Sequence, residues 1–325
     1  MYIWNGIKIY IEGENLEFIS AIKNFFHASY VELPREEHDI IFSIYDVGEK
    51  MLPAVNKKSR LIKSTTVFIE KELNLNIYEH EEEFWYLYQD TAGIWIDCKS
   101  NKIVLSLSGK LFSFPYYNIL LFFLYPLGML LENLGYFRVH ASCIDIGDQV
   151  VLFTGRSGSG KSTAAFAAAV NGGNIISDDI TFLEKTGDSY KVHTITNLLK
   201  LHSDTINRFF PKLLGHRFLK SNEGEMYFEA KDISGKEPKN SILDAIIILE
   251  KASKKNSSFK KIHPSKVIPH LFPSSISINN NKFTHRKFIL LTNLLNDIQC
   301  YNACFGTDMS DFYKKITNSL NKETL

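Results

Sequence analysis

The sequence predicts an α/β fold in two unequal parts, a small α+β domain over residues 1–110 and a larger α/β domain over residues 111–325. Two observations predict it. From Arg138 onward the pattern runs strand, turn, strand, glycine-rich loop, helix, strand, the order of a sheet whose ligands lie at strand ends. Before residue 111, short apolar stretches alternate with polar turns around one amphipathic helical period.

Composition bounds the function. The 325 residues are 45% apolar and 22% charged, and a chain of this length buries about three quarters of its unfolded surface without disulfide or metal staples. Lys and Arg number 37 against 36 acids, so no global field favours a phosphate backbone, and nucleic acid is not an expected partner. Four cysteines, at 98, 143, 300 and 304, are too few and scattered for a disulfide framework, which fits a reducing, cytoplasmic location. Cys300 and Cys304 would share one face of a helix, but no further Cys or His stands at ligand spacing, and they read as buried thiols. The opening Met1-Tyr-Ile-Trp-Asn-Gly lacks the basic and long apolar regions of a secretory signal. Leu111–Leu131 carries no charge over roughly the length of a bilayer span. Pro115, Pro126 and the lack of flanking basic clusters favour a helix buried on all sides, with no membrane span.

In the first part, Trp4–Ile11 reads as a strand, Leu16–Ser29 as a helix begun at Asn15, and His38–Tyr45 as a second strand. After a charged link at Lys57–Lys63, the segments Thr65–Glu70, Phe84–Gln89, Gly93–Lys99 and Lys102–Leu107 form an antiparallel meander, with turns at Thr91-Ala-Gly and Lys99-Ser-Asn. None of this carries catalytic residue types, so the region reads as an accessory or recognition module. In the second part, Arg138–Ile146 and Gln149–Thr154 are strands joined by Gly147-Asp148. Later elements are strands at Lys191–Thr194, Ile242–Glu250 and Ile298–Cys304, and helices at Asp204–Phe210, at Arg286–Asn296 and from Ser310. The basic, Ser-rich stretch Lys251–Lys261 reads as a solvated loop.

The strongest motif is Gly155-Arg156-Ser157-Gly158-Ser159-Gly160-Lys161-Ser162-Thr163, a full G-x-x-x-x-G-K-S/T match. An apolar strand runs into Gly155, and an alanine-rich helix, Ala164–Val170, leaves the loop with its free N–H groups aimed at an anion. Lys161 would reach the β and γ phosphates of a nucleoside triphosphate, and the Ser162 hydroxyl would ligate Mg²⁺. About seventeen residues on, the apolar strand from Asn174 ends in Asp178-Asp179, which belongs beside the loop strand with both acids at the phosphate end. Neighbouring strand residues face opposite ways, so one acid would hold Mg²⁺ while the other accepts a proton. Pairing Ile146 with Gln149 sets positions that sum to 295, which brings His140 opposite Gly155 at the loop mouth.

His140-Ala-Ser-Cys-Ile-Asp-Ile, the Gly155–Thr163 loop and Ser177-Asp178-Asp179 together resemble the HPr kinase/phosphorylase family, most closely the HPr-kinase-like kinases of peptide natural-product clusters, lasso-peptide kinases among them. The resemblance implies a P-loop kinase core of the HPr kinase and phosphoenolpyruvate carboxykinase type, ATP and Mg²⁺ as cofactors, and a serine hydroxyl as acceptor. The expected site is then Lys161 and the Gly155–Thr163 loop on the nucleotide, Ser162 and Asp179 on Mg²⁺, and Asp178 as base with His140 beside it. The sequence does not distinguish the two acids' roles. Arg156, Arg208, Arg217, Lys220 and Arg286 are unranked candidates to meet phosphoryl charge. The acceptor would be a Ser or Thr of a peptide or small protein, such as a natural-product precursor, and a homo-oligomer stays open. A small-molecule kinase on the same core and a nucleotide-hydrolysing regulatory protein are the competing readings.

Overall fold

The computed structural model describes residues 1–32, 34–46, 52–69, 71–89, 91–108, 119–146, 149–196, 198–216, 218–220, 224–229, 232–233, 241–251, 256–275, 281–306 and 308–321. The chain forms two compact units, Met1–Leu134 and Gly135–Leu325.

The first unit is built on a nine-stranded sheet. Strands β1 (Tyr2–Trp4) and β2 (Ile7–Gly13) form a hairpin closed by Asn5-Gly6, both at positive φ (48° and 85°), the two-residue turn that Asn-Gly favours. The single strand expected over Trp4–Ile11 is therefore two. Helix α1 (Leu16–Phe25) starts at Asn15, whose side-chain oxygen accepts from the Phe18 N–H at 2.9 Å, and it buries Phe18, Ile22 and Phe25. It leads through β3 (Ser29–Tyr30) to β4 (Ile40–Asp46), which lies parallel to β2. The meander is β5 (Arg60–Ile69), β6 (Lys71–His80), β7 (Glu83–Tyr88), β8 (Ala92–Asp97) and β9 (Lys102–Leu107), antiparallel in chain order, with β9 parallel to β4. The sequence reading lacks β6, whose Leu73, Leu75 and Ile77 are buried between polar neighbours with the period of two that a half-buried strand requires.

A π-helical turn, Leu120–Leu124, runs into α2 (Tyr125–Asn133). Phe123 packs on Phe26 and Phe42 with ring centroids 5.2 and 5.0 Å away, Phe122 packs on Tyr88, and Asn133 Nδ2 donates to the Cys98 carbonyl at 2.8 Å. These contacts explain why the first unit runs past residue 110 to Leu134. Phe122–Leu131 is buried apart from Tyr125, and residues 111–118 of the expected helix lie outside the described residues. Among the described residues, no helix is long and apolar enough to cross a membrane.

The second unit centres on a six-stranded mixed sheet. Strand β12 (Gln149–Thr154) lies parallel to β19 (Leu243–Lys251), which lies parallel to β21 (Gln299–Phe305). On the other side, β11 (Ser142–Ile146) pairs antiparallel with both β12 and β13 (Asn174–Ser177), and β20 (Ser258–Lys261) closes the far edge. Alternation along β19 feeds two cores. Ala245, Ile247 and Leu249 pack with α3 (Lys161–Val170) and α7 (Met309–Asn321), while Ile246 and Ile248 pack with α5 (Ile268–Ser275) and α6 (Asn281–Asp297). Two further antiparallel sheets join β10 (Phe137–Val139), β14 (Thr181–Thr186) and β15 (Ser189–Thr194), and β16 (Leu198–His202), β18 (Glu225–Glu229) and β17 (Leu219–Lys220), with α4 (Ser203–Phe209) following β16.

The ladder from Ile146↔Gln149 to Ser142↔Phe153 keeps the expected sum, although Gly147-Asp148 lies outside the described residues. The expected strand Arg138–Ile146 is broken at His140-Ala141, because β10 belongs to a different sheet from β11 and the Thr181 hydroxyl takes the Ala141 carbonyl at 2.8 Å. Strand β13, which ends at Ser177 just before the two acids, lies beside β11, one place further from the loop strand than expected. Two antiparallel steps still turn it parallel to β12, so both end at the same edge. Cys300 and Cys304 lie on β21, where alternating burial replaces the helical face considered for them.

Candidate active site

Gly155 follows β12 where nothing larger fits: a Cβ there would lie 2.6 Å from Ser159 Oγ and 2.8 Å from the Leu249 carbonyl. Gly160 caps α3 in the left-handed region at φ 98°, open to glycine without steric penalty. Between them Arg156, Ser157 and Gly158 are exposed, while Ser159 is buried with its hydroxyl lacking a hydrogen-bond partner among the described residues. Lys161 is only 8% exposed and its Nζ donates to the Gly155 carbonyl at 3.3 Å, which holds the ammonium over the loop. Burial lowers its pKa, against the pull of Asp179 and Asp178. Ser162 and Thr163 open the helix, half-buried.

The two acids beyond β13 have separate environments. Asp178 is 3% exposed. Its Oδ1 accepts from the hydroxyls of Ser142 (2.5 Å) and Ser162 (2.9 Å), and its Oδ2 from the Lys200 backbone N–H (3.2 Å). Burial raises its pKa, and the adjacent Asp179 charge raises it further against those hydrogen bonds. Asp179 Oδ1 lies 2.8 Å from His140 Nδ1 and its Oδ2 lies 3.8 Å from Lys200 Nζ. Burial acts to raise Asp179 too, but the His140 hydrogen bond and the charges of Lys200, His140 and Lys161 outweigh it and hold the carboxyl below its ordinary value. The two acids are therefore driven apart in proton affinity, which suits one to stay ionised at neutral pH.

His140 reaches Asp179 through register: Val139 pairs with Thr181, so the residues just before and after those positions meet at the break between the two sheets. The sequence reading lacks Lys200. Burial lowers its pKa but Asp179 and Glu225, whose Oε1 is 3.3 Å from its Nζ, raise it by more. Its one local signal is a lone cation in the apolar run Leu198-Leu199-Lys200-Leu201. Of the cation candidates, Arg208 lies over the Phe209 ring, and no contact among the described residues joins it or Arg286 to this cluster. Arg217 and the Lys220 side chain fall outside the described residues.

Among the described residues, no group of three or more His, Cys, Asp or Glu side chains has metal-holding geometry. Mg²⁺ does not need one, since it takes one or two protein oxygens and completes its shell with phosphate and water. The paired Ser162 and Asp178 oxygens fit that role, and the buried Ser159 hydroxyl with the Gly155 close approach fits a loop that wraps an anion.

Sheet, loop and acids define an α/β unit that gathers two lysines, two carboxylates and a histidine at one edge. No family model matches the chain, and no curated protein matches it. Among solved structures it is similar to the Hpr(Ser) kinase/phosphatase from Coxiella burnetii, at 13% identity and a TM-score of 0.32, over 58% of this chain and 99% of that one. A likeness of that size establishes neither fold nor activity.

Proposed function

We propose that the second unit is an ATP- and Mg²⁺-dependent kinase that transfers the γ-phosphoryl group to a Ser or Thr hydroxyl of a peptide or small protein. The observation that carries this reading is the Asp179 carboxylate, held between His140 and Lys200 at the mouth of a loop containing Lys161. An ionised carboxylate fixed in this way is the group that orients an attacking hydroxyl and accepts its proton.

Lys161 and the N–H groups at the start of α3 would bind the β and γ phosphates. Ser162 and Asp178 would hold Mg²⁺, which when bound neutralises charge on the nucleotide's phosphates. Asp178 is poorly placed as base, because hydroxyls and a backbone N–H occupy its oxygens and it is almost wholly buried. Asp179 keeps 21% of its side chain exposed, so a hydroxyl has access to it. The geometry thus favours Asp179 as base and Asp178 as metal ligand, the reverse of the expected assignment, between which the sequence alone does not distinguish. The acceptor O–H would give its proton to Asp179 while its oxygen bonds to the γ-phosphorus, and the bond from that phosphorus to the bridging β,γ-oxygen breaks to release ADP. His140 would keep the carboxylate ionised and oriented toward the acceptor, as a base is held by a third group.

The test is γ-labelled ATP and Mg²⁺ incubated with the full chain and either Ser-bearing peptides, small hydroxyl metabolites, or no acceptor. Label on peptide supports the reading. Label on a metabolite alone identifies a small-molecule kinase, and free phosphate alone identifies a hydrolase.

A further inference from the structure

Lys200 is bound to both acids at once. Its backbone N–H donates to Asp178 Oδ2 at 3.2 Å, and its ammonium is 3.8 Å from Asp179 Oδ2. The same ammonium is 3.3 Å from Glu225 Oε1. Glu225 is itself held, since its other oxygen accepts from the Tyr227 hydroxyl and His202 Nε2 lies 3.9 Å from Oε1. Pairing of β16 with β18 sets Lys200 opposite Tyr227 and His202 opposite Glu225, so the anchor is built into the ladder.

Resting on the kinase reading above, we infer that Lys200, anchored by Glu225, is a positioning residue that sets the geometry of the two site carboxylates. A lysine has four rotatable bonds and three donors, and alone it would be a poor ruler. Gripped by Glu225 on one side, it presents its charge to Asp179 from a fixed point, while His140 holds the other oxygen. The backbone bond to Asp178 ties the same residue to the Ser162 side of the site. The strand β16 therefore couples the spacing of the acids, and a small displacement of a reacting group reduces rate far more than it reduces binding.

The test measures kcat, KM for ATP, nucleotide affinity by calorimetry and melting temperature for Lys200→Met, Lys200→Arg, Glu225→Gln and the Lys200→Met/Glu225→Gln pair. All four keep the backbone bond to Asp178, so they isolate the ammonium. Lys200→Met is expected to lower kcat by about ten- to a hundred-fold with nucleotide affinity kept, the size of effect a slight misplacement produces. Lys200→Arg should recover most of that loss. Glu225→Gln should lose less than Lys200→Met and add nothing to it in the pair, because residues acting through one another are not additive. Wild-type kcat in Lys200→Met, equal loss in kcat and nucleotide affinity, or multiplying losses in the pair would overturn the inference while leaving the kinase reading intact. If Lys200→Met does not fold, Lys200→Arg and Glu225→Gln decide: wild-type kcat in Glu225→Gln overturns the inference, and reduced kcat at unchanged affinity supports it. A wild-type chain that transfers label to no acceptor overturns both.

Discussion

Replacing Asp179 by Asn removes one charge and almost no volume, which separates what the carboxylate does for rate from what it does for the fold. Its two ionic partners are partly exposed, His140 at 43% and Lys200 at 31% of their side chains. Pairs of that kind contribute about 0–1 kcal/mol each, so the stability loss should stay under about 2 kcal/mol. Asn also has the same Cβ and size as the Asp that this positive-φ position already accommodates, which limits any further penalty. For a unit of this size each kcal/mol shifts the melting point by about 2–4 °C, so the variant should melt only a few degrees early. A general base, by contrast, contributes about 10²–10⁴-fold, equivalent to roughly 3–5 kcal/mol of barrier. The assay is label transfer from γ-labelled ATP beside calorimetric nucleotide binding and a melting curve. Asp179→Asn should lose transfer and keep nucleotide, while Asp178→Asn should raise the Mg²⁺ concentration needed for half-maximal rate. An Asp179→Asn chain that transfers within a few-fold of wild type would refute the assignment of the base.

Lys161→Ala should weaken nucleotide binding by at least about ten-fold, the loss of one hydrogen bond to a charged group, and equal affinity by calorimetry would remove Lys161 from the phosphate site. In native protein a thiol reagent followed by mass spectrometry should label Cys304 first, since Cys98, Cys143 and Cys300 are buried and burial pushes the Cys300 thiol up to about 11; labelling of Cys300 before Cys304 would contradict the placement of β21. Asn15→Ala should destabilise the first unit by about 1–2 kcal/mol, because it removes the cap of α1 and strands Asp46, which Asn15 Nδ2 contacts at 2.5 Å. All three tryptophans, Trp4, Trp85 and Trp95, lie in that unit, so a denaturant titration followed by tryptophan fluorescence reads it directly, and an unchanged midpoint would dismiss the cap.

Local pattern carried far in this sequence, and its failures have a common cause. The loop strand, the alanine helix, the Asn15 cap and the hairpin register through Ile146 and Gln149 all follow from contacts close in sequence. Asn5-Gly6 was equally legible, a strong hairpin signal inside what reads as one apolar run. Lys200 and Glu225 were not. Lys200 reaches the acids and Glu225 reaches Lys200 from two strands of a separate small sheet, and the Lys200 N–H closes a bond to Asp178 across 22 residues that no spacing rule specifies. The break at His140 is of the same kind, since it depends on β10 leaving its neighbour β11 to pair with β14.

Two adjacent acids with different partners would follow from strand alternation, but β13 ends at Ser177 and neither acid is in it. The backbone separates them instead. The Ile180 N–H donates to the Asp178 carbonyl at 2.8 Å across Asp179, whose φ is 67°, a three-residue turn of the rarer and strained hand. That turn leaves Asp178 under the loop helix with Ser162 and aims Asp179 at His140 and Lys200. A left-handed non-glycine residue stores about 1–3 kcal/mol, so position 179 trades stability for the direction of its carboxylate. Comparing Asp179→Gly with Asp179→Ala tests this, because both lose the carboxylate and only one keeps a Cβ. Elsewhere in ordered structure glycine is the less stable of the two by about 0.5–1 kcal/mol. Here glycine should melt at or above alanine, since a Cβ in the left-handed region costs about 1–2 kcal/mol, and both variants should be inactive. Alanine melting clearly above glycine would mean the turn is unstrained, and the separation of the two acids would then need another cause.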